Sequence, residues 1–280
     1  MANDSKLSIA EKLGYGMGDA ACGIVYSSVT MFLTWFYTDI FGLDAALLAT
    51  MFLVVRLVDA FVDPMLGGIA DRTRSRYGRF RPYILYGCVP FCLICILAFY
   101  TPDITAGWKG VYAFVTYLLL SVLYSTVNIP YCSLGSVITA NPVDRISCQS
   151  YRFTMANCAV LLCSLTLLPL VHYFGAGDQQ KGFFITNTLF SIIGLCMFLL
   201  CVFNTRERIA PEEGPQENIF KSLLFAFKNK QWVLWSPGCL SVVFPLLSAA
   251  ARPSISPNIL CTLTTSGRRC LSVSGSWLRY

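Results

Sequence analysis

Apolar runs and short polar breaks alternate along most of this chain. Runs near residues 20–41, 47–70, 83–101, 110–133, 153–174 and 183–203 each approach the ~20 apolar residues that carry an α-helix across a bilayer. A seventh, 232–250, is broken by Pro237 and Pro245. The pattern predicts an all-α integral membrane protein in which residues 1–203 form a bundle of six transmembrane helices. Residues 204–231 are polar, charged and proline-bearing, and read as a cytoplasmic connector in which IFKSLLFAF forms a short amphipathic helix at the membrane surface. Residues 232–280 read as a truncated or aberrant start of a second bundle.

Charge gives the bundle an orientation. The second break, DRTRSRYGRFRP, holds Arg72, Arg74, Arg76, Arg79 and Arg81. The fourth, NPVDRISCQSYR, holds Arg145 and Arg152, and Arg206, Arg208, Lys221, Lys228 and Lys230 follow the sixth run. The first break has no basic residue, the third has Lys109 and the fifth Lys181. Basic loops stay on the cytoplasmic side, so the N-terminus and the even loops are expected in the cytoplasm of a multi-pass inner-membrane protein. The first residues lack the short apolar core and cleavage site of a signal peptide.

Composition narrows the function. Only 13% of the residues are charged and 55% are hydrophobic, against roughly 25% charged in soluble domains. The net charge of +6 sits on the breaks just described, where it orients topology and gates a loop, and nucleic acid is not expected as a partner. Most of the 13 cysteines, among them Cys88, Cys92, Cys95, Cys158 and Cys163, fall inside apolar runs and read as small hydrophobic side chains. Cys92 and Cys95 form a CxxC pair with no second pair at zinc-site spacing. His172 is the single histidine, so neither an enzyme nor a metal centre is expected. Gly14, Gly16 and Gly18 follow no strand and read as close helix packing.

The segment RLVDAFVDPMLGG, residues 56–68, carries the chemistry. A charge near the bilayer centre costs at least ~2.5–3.5 kcal/mol, and this run holds Arg56, Asp59 and Asp63. The two acids lie one helical turn apart on one face, with Arg56 a turn before Asp59. Pro64 frees the carbonyl of Ala60. Hard oxygen ligands in a membrane helix suit a small cation or a proton; a structural ion-pair network is the alternative. Asp19, Tyr124, Asn128 and Arg152 stand in neighbouring runs, and Pro130 frees the carbonyl of Thr126. Their carboxylate, phenol, amide and guanidinium groups suit a polyhydroxylated ligand, or join helices by hydrogen bonds.

KLGYGMGDAACGIVY, FYTDIFGL, VRLVDAFVDPMLGGIADRTRSRYGRFRPYIL and YSTVNIPYCSL resemble the glycoside–pentoside–hexuronide:cation symporter family of the major facilitator superfamily, over residues 7–230. The resemblance implies two six-helix bundles that co-transport a sugar or glycoside with sodium, lithium or a proton, and no other cofactor. By motif, Asp59 and Asp63 match the family's cation-site carboxylates and Ser125 its hydroxyl ligand. Asp19, Tyr124 and Arg152 match sugar-contacting positions, with Asn128 beside them; Arg56, Arg74 and Arg76 are the expected charge partners and gating groups. Val62 stands where sodium-using melibiose-type members have asparagine, which favours proton coupling or only weak sodium coupling. Gly18, Asn128 and Cys132 replace a lysine, an aspartate and a tryptophan, which points away from galactosides and toward the pentoside/xyloside-type branch that shares VNIPY.

The reading is therefore secondary active sugar:cation symport, with a six-helix membrane enzyme or receptor, or a nonfunctional membrane remnant, as alternatives. The remnant reading rests on a change of character near residue 235, where SPGCLSVVFPLLSAAARPSISPNILCTLTTSGRRCLSVSGSWLRY becomes rich in serine, proline and arginine. This tail is expected to be an out-of-frame reading. Back-translated in a shifted frame, residues 249–261 permit the apolar string GGPTFYFTKYFV. The chain as given is then expected to bind sugar poorly and transport nothing. The nucleotide sequence around codon 235 checks it: a stop-rich alternative frame would end this expectation.

Overall fold

A computed structural model describes residues 7–102 and 105–209. Among them are α1 (Ile9–Trp35), prolonged by one wider π-type turn, Phe36–Ile40, then α2 (Ala45–Arg72) and α3 (Arg81–Ala98). α4 (Ala106–Val137), α5 (Pro142–Gly175) and α6 (Gln179–Asn204) complete the set. All six are long and apolar enough to cross a membrane. The connector 204–231 is described only to Ile209, and the expected surface helix and the tail 232–280 lie outside the described residues.

The spans are where the apolar runs put them, but two begin much earlier. α1 starts at Ile9 because Ser8 Oγ accepts the Glu11 N–H at 3.2 Å while Glu11 Oε2 accepts the Ser8 N–H at 3.2 Å, a reciprocal cap that satisfies two orphan donors. α5 starts at Pro142, so NPVDRISCQSYR is helix rather than loop. Asn141 Oδ1 accepts the Val143 N–H at 2.9 Å, and proline fits the first helical position. The polar first turns of α5 are covered: Lys12 Nζ on α1 reaches Asp144 at 2.8 Å. Arg145 donates to the carbonyls of Ser136 and Thr139 near the end of α4.

α1 packs chiefly on α5 and α6, α3 on α4 and α6, and α2 chiefly on α4. The glycines of α1 make the expected close approaches: Gly16 lies against Met155 and the Tyr151 carbonyl, and Gly18 against Tyr131 and Cys201. Cys88, Cys92, Cys95 and Cys163 are buried as small apolar side chains, whereas Cys158 is exposed. Gly182 lets α6 touch α5, since a Cβ there would overlap the Val171 carbonyl oxygen, a backbone atom with nowhere to move. Gly182→Ala is therefore expected to cost about 1–3 kcal/mol by overpacking. Gly67→Ala meets only an Ile129 methyl at 3.7 Å and should be neutral or stabilising, alanine being the better helix former. Thermal unfolding of the two variants in detergent checks this; equal behaviour would sink it.

Residues 205–209 strap one end of the bundle. The Glu207 carboxylate accepts the backbone N–H groups of Arg79, Phe80 and Arg81 at 2.7, 2.9 and 3.1 Å, which caps the start of α3 with a negative charge. Arg208 pairs with Glu11 at 2.6 Å, and the N–H groups of Arg208 and Ile209 both donate to the Val137 carbonyl. Arg81 Nη2 donates to the Val202 carbonyl at 2.7 Å. The starts of α1 and α3 are thus tied to the ends of α4 and α6.

Candidate functional site

α2 and α4 run in the same sense with residues 62 apart facing each other: Ser121 meets Asp59, and Ile129 meets Gly67. The Ser121 hydroxyl lies 2.9 and 2.8 Å from the two carboxylate oxygens of the buried Asp59. Arg56 Nη1 stands 3.7 Å from Asp59, as its one-turn spacing predicts. Asp63, a turn further, has a buried Oδ1 with no hydrogen-bond partner among the described residues. The shared register sets Ser125 level with Asp63, one turn beyond Ser121. The hydroxyl that meets a carboxylate is thus Ser121, which the sequence reading missed; no hydrogen bond joins the expected Ser125 to Asp59 or Asp63 among the described residues.

The groups matched to sugar contact converge from α1, α4 and α5. Arg152 Nε donates to Asp19 Oδ2 at 2.9 Å, with side-chain exposures of 16% and 17%, so this pair is largely taken from water. Arg152 Nη2 also lies 3.5 Å from the Cys132 thiol, which in turn lies 3.8 Å from Asn128 Oδ1. Arg152 stands over the Tyr131 ring at 5.4 Å. Tyr124 stacks on Tyr26 of α1, with ring centroids 4.0 Å apart and planes 12° from parallel.

Tyr26 is the second missed residue: it follows Asp19 by two helical turns on α1, and the Arg56 guanidinium lies beside it. About 310 Å³ of open space adjoins Arg56, walled by Thr30, Thr34, Phe52 and Tyr117. The two clusters therefore meet around α4. Its Ser121 bonds Asp59 of α2, with Ser125 buried one turn on; its Tyr124 stacks on α1, and its Asn128 and Cys132 lie toward Arg152 of α5. Arg74 and Arg76 are not brought to either cluster. They lie in the α2–α3 loop, where Arg76 donates to the Tyr77 hydroxyl at 2.7 Å.

Six apolar helices that bury ion pairs define a multi-pass membrane protein. Relatives name its class: a family model described as MFS/sugar transport protein matches residues 14–251, past the change of character near 235. The candidate glycoside/cation symporter YagG of Escherichia coli is 44% identical over 81% of this chain and 50% of its own length. The inner membrane symporter YicJ of Escherichia coli is 43% identical over 88% of this chain and 53% of its own. An isoprimeverose transporter of Lactiplantibacillus pentosus is 38% identical over 80% and 48%. The chain belongs to the glycoside–pentoside–hexuronide:cation symporter family of the major facilitator superfamily. That family consists of transporters, which removes the enzyme alternative. The chain spans about half the length of the curated relatives it matches.

Proposed function

We propose that this bundle supplies the cation site and one wall of the sugar site of a symporter that moves a glycoside with a proton across the inner membrane. The observation that carries the reading is α4, one continuous helix that bears the Ser121 hydroxyl at Asp59 and the Cys132 thiol at Arg152. A helix held by both sites links them: each ligand that favours one placement of α4 favours the other ligand's binding, which is all that coupling requires. Tyr26, stacked on Tyr124 and beside Arg56, is a second link. Within the cation site the groups differ. Asp59 holds its hydroxyl and its arginine, while Asp63 keeps a buried oxygen without a donor among the described residues, open to an arriving cation or proton. Val62 offers no ligand to sodium. Cys132 and Asn128 leave a small, uncharged wall that favours a pentoside over a galactoside.

Uptake tests the reading. A chimera in which the second half of YicJ continues residue 209 is reconstituted in proteoliposomes beside the 280-residue chain and offered a glycoside panel with sodium, lithium or a pH gradient. Accumulation of a pentoside by the chimera, driven by the pH gradient, is expected. Strong sodium stimulation without pH dependence would overturn the proton; no accumulation of any glycoside while YicJ itself is active would overturn the symport.

Orientation has its own test. We expect the N-terminus in the cytoplasm, so an impermeant thiol reagent added to intact cells should label a cysteine placed at Gly107 and spare one at Ser75, in a background stripped of reactive thiols. Labelling of Ser75→Cys from outside would reverse the topology.

A further inference from the structure

Against the α2–α3 loop lies a pocket of about 320 Å³ whose walls include Arg74, Ser75, Gly78, Arg79, Glu207 and Arg208, at the lower end of small-molecule sites. Its charges do not cancel. Glu207, the one acid of the wall among the described residues, already accepts from three backbone N–H groups with both oxygens. Gly78, with φ of +110° and a site where a Cβ would overlap that carboxylate, is what lets the loop lie so close. Arg79 is held by Asp71 at 2.8 Å and Arg208 by Glu11 at 2.6 Å, both acids lying outside the pocket wall. Arg79 still has a buried Nε without an acceptor among the described residues. Arg74 is exposed and makes no hydrogen bond or ion pair among the described residues. Ser75 Oγ accepts the Tyr77 N–H at 3.3 Å, and its own hydroxyl hydrogen remains to be donated.

We propose that this pocket binds a phosphate-bearing anion, the headgroup of an acidic phospholipid or free phosphate, with Arg74 as its principal ligand and Ser75 beside it. A guanidinium fork matches two phosphate oxygens at once. The depth in the membrane fits: α2 ends and α3 begins here, and Tyr77, with Arg76 at 4.7 Å from its ring centroid, marks the headgroup level. Given the orientation proposed above, the facing leaflet is the one that carries acidic lipids. A bound phosphate would join Arg74 of the loop to Arg208 of the strap, so it would stiffen the end where four helices are tied together.

Binding is read without transport, so its failure is distinct from failure of the symport reading. The 280-residue chain is placed in phosphatidylcholine nanodiscs, in discs with part of the lipid replaced by phosphatidylglycerol, and in phosphatidylcholine discs with inorganic phosphate added. Unfolding temperature and lipid retained in native mass spectrometry are measured for the parent, Arg74→Gln and Arg76→Gln, the last an equal loss of charge outside the pocket. Phosphatidylglycerol is expected to raise the unfolding temperature and to be retained; Arg74→Gln should lose most of both effects and Arg76→Gln little. The same rise from inorganic phosphate would name free phosphate as sufficient, and a rise from the lipid alone would name the headgroup. No response to either anion, or equal losses in the two variants, would overturn the site. Should Arg74→Gln not fold, Arg74→Lys keeps the charge without the fork and must retain less lipid than Arg76→Lys.

Discussion

Asp63→Asn should abolish accumulation of sugar against its gradient by the YicJ chimera while leaving the bundle at least as stable as before. The Oδ1 atom of Asp63 is buried and accepts no hydrogen bond among the described residues. A buried polar atom left this way costs about 1–3 kcal/mol, and more when it carries charge. A cation or proton arriving there gives that oxygen a partner, and that is the physical content of a coupling site: occupied and empty states differ in energy by enough to be felt elsewhere. Asparagine has nearly the same shape but neither binds nor releases a proton, so the sugar could at most equilibrate. Stability should hold or rise, since charge has been removed beside a buried oxygen that has no donor among the described residues. Asp59→Asn is the contrast. One Ser121 contact survives, Arg56 loses its acid, and accumulation should fall without disappearing. Uptake with and without a pH gradient, together with unfolding temperature in detergent, separates the two. Full concentrative uptake by Asp63→Asn would sink the assignment, and so would a clear loss of stability in that variant.

Much of this was legible in the chain, and the limits have physical causes. The six spans follow from apolar run length alone, because a bilayer demands about 20 apolar residues of any helix that crosses it. Helix starts are less visible, since capping residues are polar and hide in the breaks. The Ser8–Glu11 capping box was there to be read in SIAE, and Asn141–Pro142 is a similar signal. The polar opening of α5 looked like a loop because its cover, Lys12, lies 132 residues from Asp144. Spacing within one helix is equally readable, so Arg56, Asp59 and Asp63 could be grouped in advance. Spacing between helices is not. Whether Ser121 or Ser125 meets Asp59 depends on the register of α2 against α4, which packing fixes and composition does not. Tyr26 is one aromatic among many in an apolar run, and Glu207 one acid in a charged connector; only the folded chain sets three backbone donors around its carboxylate.

The second large effect is expected at the Asp19–Arg152 pair, where the sequence suggested both residues but not that they bond. Each side chain is more than four-fifths covered, so deleting one charge strands the other in a medium that solvates it badly. Asp19→Asn and Arg152→Gln should each cost about 3 kcal/mol, the low end for breaking a buried pair, and each should abolish glycoside binding. The double variant strands no charge. Its stability should return most of the way to that of the parent, a non-additivity expected of residues in contact. Binding should not return, because the hydroxyls of the sugar lose a carboxylate and a guanidinium that amides replace only weakly. Unfolding temperatures of the four proteins and glycoside binding by the matching YicJ chimeras complete the cycle. If the double variant binds glycoside as well as the parent, the pair merely holds α1 to α5 and the sugar site lies elsewhere. If stability stays as low as in the single variants, the pair is not what holds those helices together. Recovery of stability without recovery of binding is the result that assigns Asp19 and Arg152 to the sugar.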